Sequence, residues 1–333
     1  MNFASQTRHH PTPGGPAIVY QGEQGYLTLL ADIMEYGSEV PDRTGVGRIK
    51  LFDRFLRFDL REGFPLLTHR NAPPRYAFRE FWAFLNGITH IHTYLSAAGI
   101  NFWKGNTTRE FLDQRGLTFL PVGHGGKSYG FQVRHFGGDY DDDFNGRGGV
   151  DQLANIYHTL KNDPFSSRIL LSMWNPQQEA EMALPPCWWA HQFLVTLDKS
   201  GNQVLNLALT SRSADLLFGT PFNVAQYAIY LAAMAHATGM IAGELSCRLT
   251  DVHIYGKRAD LNPDVEPHKS SQVRYVQETL TRIASESKIE LTFNRPIDSL
   301  DDLLSLDFDR DLRLTGYTPD LTEYITPRPA MAV

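Results

Sequence analysis

Apolar positions along this chain keep two rhythms, one helical and one alternating, and each stretch declares itself by the rhythm it keeps. From Gln24 to Tyr36, apolar residues at Tyr26, Leu29, Leu30, Ile33 and Met34 recur at helical spacing and predict a helix. Ile49 to Leu60 alternates apolar with polar, as a strand buried on one face does. Between them, Asp42-Arg43-Thr44-Gly45-Val46-Gly47 reads as a loop. Phe64-Pro65-Leu66-Leu67-Thr68 reads as a turn with a short extended piece. Ala77 to Leu85 returns to helical spacing and carries Arg79 and Glu80. The segment from Trp103 to Gly148 is rich in glycine and aspartate, and predicts mostly loop with one short helix near Thr108 to Gln114. A helix over Val150 to Asn162 is closed by Asp163-Pro164, because the residue before a proline is pushed out of helical geometry. Strands are predicted near Arg168–Met173, Trp189–Leu197 and Val204–Leu209, then a long helix near Asn223, after Pro221. A further strand over Leu245–Thr250 feeds Asp251-Val252-His253-Ile254-Tyr255. No linker interrupts the pattern, so it predicts one α+β domain over residues 21–333 behind a flexible tail of residues 1–20.

Composition narrows the class. A chain of 333 residues with 42% hydrophobic and 20% charged residues has ample material for a globular core. The net charge of −6 argues against a nucleic-acid scaffold, which carries basic excess. Cys187 and Cys247 make no disulfide framework, and the expected compartment is a reducing cytoplasm. Pro11, Pro13, Gly14, Gly15 and Pro16 break up any leader-like apolar core. The apolar run from Ala225 to Met240 contains Gln226, Tyr227 and His236, so it predicts a buried helix and no membrane span. There is no internal repeat and no metal-ligand spacing.

Candidate chemistry gathers around Cys187, which stands behind Pro185-Pro186 and ahead of a strand. Prolines fix φ and lack a donor, so the thiol sits at a rigid strand entry and is a candidate nucleophile. The alternative is a cysteine packed as a small hydrophobe. Arg43, Arg168 and the Arg212-Ser213 pair suit a phosphate, whose oxygens match guanidinium forks, or else make ordinary surface ion pairs. Glu80, among Phe78, Phe81 and Trp82, either caps a buried group or moves protons with a raised pKa. Asn223 is either an N-cap or an amide for a base edge. His253 and Tyr255 alternate on one strand and so face one side, to grip a sugar hydroxyl or pair within the core. His191 and Cys247 are expected to be structural.

In order, DRTGVG, the Glu80 helix, NFWKGNTTREFLDQRG, YGFQVRHFG, GVDQL, LKNDPFSSRI, MALPPC, SRSADLLFGTPFN, DVHIYG and a terminal MAV resemble the thymidylate synthase family over nearly the whole chain from about residue 24. The stretch between Trp103 and Tyr129 resembles the longer, eukaryotic-style version. The resemblance implies that family's fold, a large mixed sheet flanked by helices, with sheets stacked across a homodimer. It implies attack by Cys187 on C6 of dUMP, with C5 then capturing the methylene of 5,10-methylenetetrahydrofolate. Glu80 would run proton transfers, and Tyr129 joins the catalytic set with Asn223. Arg43, Arg212 and Ser213 would hold the 5′-phosphate, with Arg168 reaching in from the partner subunit. His253 and Tyr255 would bind the ribose, and Asn223 the pyrimidine edge. Trp103, Asn106, Asp215, Gly219, Phe222 and Val333 would contact the folate. Relatives acting on cytosine carry Asp at the Asn223 position, so Asn favours dUMP.

Several positions depart from the family pattern. Trp188 replaces a histidine after the nucleophile, Ser211 a glutamine before Arg212, and Ser167-Arg168 a pair of arginines. Lys104 replaces an aspartate, and Gly126-Lys127-Ser128 replaces Gly-Pro-Val before Tyr129. Ser211 leaves space and a hydroxyl to hold a water, and the hydroxymethylase branch known from phages tolerates changes beside the nucleophile. The expected product is therefore 5-hydroxymethyl-dUMP. The alternative is reductive methylation to dTMP, which retention of Trp103 and the MAV end favours. A remote third reading is a catalytically weak nucleotide-binding relative.

Overall fold

The computed structural model describes residues 18–330, so residues 1–17 of the expected tail and the terminal Val333 lie outside the described residues. Strand β1 (Val19–Gln21) runs into helix α1 (Gly22–Tyr36), followed by β2 (Ser38–Val40) and the long β3 (Arg48–Asp59). Helices α2 (Pro74–Leu85), α3 (Ile91–Ser96), α4 (Arg109–Gln114) and α5 (Tyr129–His135) come next. A small hairpin of β4 (Asp139–Tyr140) and β5 (Gly146–Arg147) precedes α6 (Gln152–Asn162). Strands β6 (Leu170–Ser172), β7 (Trp188–Leu197), β8 (Gln203–Ser211) and β9 (Ala214–Asp215) lead to α7 (Gly219–Thr238) and β10 (Ile241–Tyr255). The chain closes with α8 (Val273–Thr279), β11 (Glu290–Phe293), α9 (Leu300–Leu304), α10 (Phe308–Asp311) and β12 (Leu312–Thr315).

The main sheet is mixed, in the order β1-β3-β10-β8-β7-β6, with β2 added to β3 and β9 to β10. β10 is its spine, antiparallel to β3 and parallel to β8. The core lies where α1, α2 and α7 pack on one face of this sheet. α7 is apolar nearly all round, as a helix enclosed on every side must be. Ile229, Leu231 and Met234 are fully buried there, each contributing roughly 1.5–3 kcal/mol. Gly239 closes α7 in the left-handed region at φ 73°, where glycine carries no steric penalty. None of the described helices is long and apolar enough to cross a membrane.

Two expectations about elements need correction. The Trp103–Gly148 segment holds more than one helix: α5 and the β4–β5 hairpin lie inside it, besides a single 3-10 turn over Gly105–Thr107. α5 has only 7 residues and forms because Phe131 and Val133 bury against neighbouring elements, α2 and α6 among them, not because its own propensity suffices. α7 begins at Gly219, so Asn223 is not its cap. Asp215 braces the turn ahead of the helix, its Oδ1 accepting the N–H groups of Leu217 at 3.0 Å and Phe218 at 3.1 Å.

Candidate active site

Cys187 stands at the entry to β7, and its main chain is pinned on both sides. Its N–H donates to the Tyr129 hydroxyl at 3.0 Å, and its carbonyl accepts the Arg212 N–H at 2.9 Å. The Arg212 guanidinium donates to the carbonyls of Pro186 at 3.0 Å and Pro185 at 2.8 Å. It also lies 5.4 Å from the Trp174 ring. Cys187 is therefore carried on a loop with little freedom. Burial pushes its thiol pKa up, while the Arg212 charge and the Tyr129 hydroxyl oppose that rise.

Tyr129 opens α5, its ring stacked on Phe84 at 4.7 Å and edge-on to Trp103 at 5.5 Å. The residues before it, which depart from the family pattern, are tied down individually. Gly126 is left-handed at φ 74°, and a Cβ there would come within 2.2 Å of the Glu181 carbonyl oxygen. Lys127 is buried with its Nζ paired to Glu181 at 2.9 Å and Asp139 at 3.1 Å. The acidic hairpin is thus an anchor for the segment that presents Tyr129.

The helix side of the site is a run of side chains. Glu80 of α2 accepts the Trp103 indole N–H on Oε1 at 2.7 Å and the Gln226 amide N–H on Oε2 at 2.6 Å. Gln226 in turn accepts an N–H from Asn223 at 3.0 Å. Burial raises the Glu80 pKa, and the two donated hydrogen bonds pull it back. Gln226 was not among the residues singled out from the sequence, although a glutamine on a helix apolar all round is the available signal.

Around the phosphate and sugar candidates, Asp42 builds the Arg43 loop. Its carboxylate accepts from Thr44 N at 3.2 Å, the Thr44 hydroxyl at 2.5 Å and Gly47 N at 2.8 Å. Arg43 is exposed, and its charge reaches both Cys187 and Tyr255. His253 and Tyr255 do share a side, their rings edge-on at 5.2 Å. Gln272 joins Tyr255 N at 3.1 Å to Asp215 Oδ2 at 3.0 Å. A Cβ on Gly219 would lie 3.7 Å from both Asp215 Cβ and Asn223 Oδ1, so these three border one space. Phe222 packs edge-on against Phe102 at 5.2 Å, and the half-buried Asn106 follows Trp103 in the 3-10 turn. Arg168 stands apart: it is exposed ahead of the edge strand β6, and among the described residues no contact joins it to the group around Cys187.

A family model described as thymidylate synthase matches residues 24–326. The chain belongs to the thymidylate synthase family. The family's members are one-carbon transferases that use 5,10-methylenetetrahydrofolate as co-substrate. The thymidylate synthase of Saccharomyces cerevisiae is 42% identical over 72% of this chain and 81% of that protein. That of Agaricus bisporus is 40% identical over 78% of this chain and 90% of its own length. A probable thymidylate synthase of Schizosaccharomyces pombe is 44% identical over 70% of this chain, which spans only 38% of that longer protein. Trp188 and Ser211, which depart from the family pattern, take definite places. Trp188 is buried with its ring 5.5 Å from Tyr227, and is a core residue. Ser211 is fully buried, and its hydroxyl donates to the Ser213 carbonyl at 3.0 Å while accepting from Ser213 N at 3.3 Å. It is closed on its own loop. His191 bonds the Tyr227 hydroxyl at 2.9 Å inside the core, and Cys247 is fully buried in β10.

Proposed function

We propose that the protein transfers a one-carbon unit to C5 of dUMP through an adduct between Cys187 Sγ and C6, and ends the reaction reductively, releasing dTMP. The folate, when bound, supplies the methylene carbon and the hydride. Cys187 Sγ gives its proton to water and adds to C6 as the thiolate, and the ring electron pair moves to C5 and the ring carbonyl. Asn223 binds that pyrimidine edge, and Glu80 relays protons to it. Tyr129, bonded to the Cys187 main chain, relays the C5 proton, giving its own proton to water as it takes that one up. Once the methylene is reduced, Cys187 leaves C6 with its electron pair and the ring double bond returns. Arg43, Arg212 and Ser213 hold the 5′-phosphate, and His253 with Tyr255 the ribose. Trp103, Phe222 and Asp215, with Gly219 and Asn106, offer aromatic faces and an acceptor suited to a pterin.

The observation that carries the reductive ending is the Ser211 hydroxyl. A hydroxymethylase must hold a water at the C5 methylene. The group expected to hold it is instead spent on Ser213. The relatives named thymidylate synthase support the same ending. The test is mass analysis of the nucleotide made from dUMP and 5,10-methylenetetrahydrofolate. A mass matching dTMP, with dihydrofolate accumulating, supports this reading. A product heavier by one oxygen, with tetrahydrofolate accumulating, returns it to hydroxymethylation.

A homodimer completes the phosphate site in this reading. Leu170, Gln192, Ala208, Ser246 and Arg57 form one cross-strand row on the face of the sheet turned away from the helices, and all but Ser246 are exposed. A second copy stacked there would bring Arg168 to its partner's phosphate. Sedimentation of a monomer alone at micromolar concentration would remove that part of the proposal.

A further inference from the structure

Gln226 lies nearly one turn beyond Asn223 on α7 and is 2% exposed. The polarity of the run it belongs to is forced from one end. An indole N–H only donates, and an ionised carboxylate only accepts. While Glu80 is ionised and accepts from Trp103 on one oxygen, the amide end that Gln226 turns toward the other oxygen is its NH₂. Its carbonyl then faces Asn223 and requires a donor, which Asn223 Nδ2 provides at 3.0 Å. Turning the Asn223 amide over would set two carbonyl oxygens against each other. Turning both amides would set the Gln226 carbonyl against the Glu80 carboxylate. Either reversal loses a buried hydrogen bond and leaves like poles facing.

That order matters because the two pyrimidines present opposite edges. Uracil offers a donor at N3 and an acceptor at O4, whereas cytosine offers an acceptor at N3 and a donor at N4. A free asparagine amide serves either by rotating half a turn. Ser211 does not supply the restraint, since its hydroxyl is closed on Ser213.

We propose that Gln226 is a positioning residue that locks the Asn223 amide in one orientation and thereby selects uracil over cytosine. The inference rests on dUMP being the substrate. Gln226→Leu keeps the bulk and removes both amide ends. Titration calorimetry with dUMP and with dCMP, on the full chain, reads the outcome. The preference for dUMP over dCMP in Kd is expected to fall at least ~10-fold, mainly through weaker dUMP binding, as buried polar groups lose their partner. Gln226→Ser, which leaves room for water, is the second variant should the first not fold, and its preference is expected to fall as well. Gln226→Glu retains an acceptor toward Asn223 and should keep part of the preference. A residue that merely packs would leave the ratio unmoved, and an unchanged ratio in the folded variants overturns the proposal. Wild-type protein that neither binds nor turns over dUMP takes the functional reading down with it. Wild-type dUMP turnover with an unmoved ratio sinks only the role of Gln226.

Discussion

Cys187 and the run of side chains that ends at Asn223 stand on two different kinds of support. On the strand side, Cys187 is held through its main chain, by the Tyr129 hydroxyl and the Arg212 N–H, with the Arg212 guanidinium bracing two prolyl carbonyls. On the helix side, Trp103, Glu80, Gln226 and Asn223 meet side chain to side chain. Main-chain support is indifferent to the identity of neighbouring side chains, so Trp188 is accommodated as core beside the nucleophile. A side-chain run has a direction, and one change reverses or breaks it. Position is therefore robust on the strand side, and polarity is fragile on the helix side.

The largest effect expected is from Cys187→Ala. It should cut dUMP turnover by roughly 10,000-fold or more, because the covalent route is lost. Mass spectrometry should find no adduct with 5-fluoro-dUMP and the folate. Retained adduct would show that the strand side does not carry the nucleophile.

Next comes Glu80→Gln. A neutral amide offers one acceptor and one donor end, so it cannot accept from both Trp103 and Gln226. Turnover of dUMP should fall by about 100- to 1,000-fold, the range for loss of a general acid–base group. Burial raises the Glu80 pKa above the ordinary carboxylate value of 4.5, so the ionised form is lost at a higher pH than for an exposed glutamate. The acid limb of kcat/KM should therefore lie above that value in the wild type and disappear in the variant. An unchanged acid limb would assign it to another group.

The two supports were not equally legible in the sequence. Pro185-Pro186-Cys187 and Arg212 are close enough to their strands for local rules to place them. So are the helix through Leu29, Leu30 and Ile33 and the alternating strand after Ile49, whose periods survive folding unchanged. Gln226 served in the sequence only to show that its helix is no membrane span. Its role was hidden because Glu80 lies 146 residues away, and only the packing of α2 on α7 brings them together. Asn223 looked like a cap because it follows Pro221, whereas α7 already begins at Gly219 with Phe218 at its cap position. α5 was missed because 7 residues including Gly130 are a poor helix alone. The expectation of a water at Ser211 lost its support for a related reason: a hydroxyl that looks free in the sequence is bonded to Ser213 in the fold.

Tyr129→Phe probes the strand side more gently. It keeps the stacking on Phe84 and deletes the hydroxyl that accepts Cys187 N and, in the proposed mechanism, relays the C5 proton. Losing both should lower kcat/KM for dUMP by about 100-fold. The ratio of dUMP to dCMP binding should not move, because the helix-side run is untouched. A shifted ratio would erase the distinction between position and polarity.

The last effect is on stability, and it separates the two sides by pH. His124 is fully buried in the segment leading to Gly126 and Tyr129. Its Nδ1 accepts from Gly126 N at 3.0 Å, so its Nε2 carries the proton and donates to the Phe144 carbonyl at 3.0 Å. A second proton would land on Nδ1 and break the Gly126 bond. Burial holds the pKa down at about 4, against 6.5 for the free imidazole. Above pH 6.5 folded and unfolded chains are both neutral here, and the group contributes no pH dependence. As the pH falls from 6.5 toward 4, the unfolded chain takes the proton first and stability is lost. The loss is on the order of 2–3 kcal/mol, since each pKa unit is worth about 1.4 kcal/mol. His191, held down at about 3, acts with the same sign from the core, so comparison with His124→Asn is what isolates His124. Denaturant unfolding at pH 7 and pH 4.5, at one protein concentration, should show a shallower acid loss in the variant. Equal losses in the two chains would mean that acid does not reach the site through the segment that presents Tyr129.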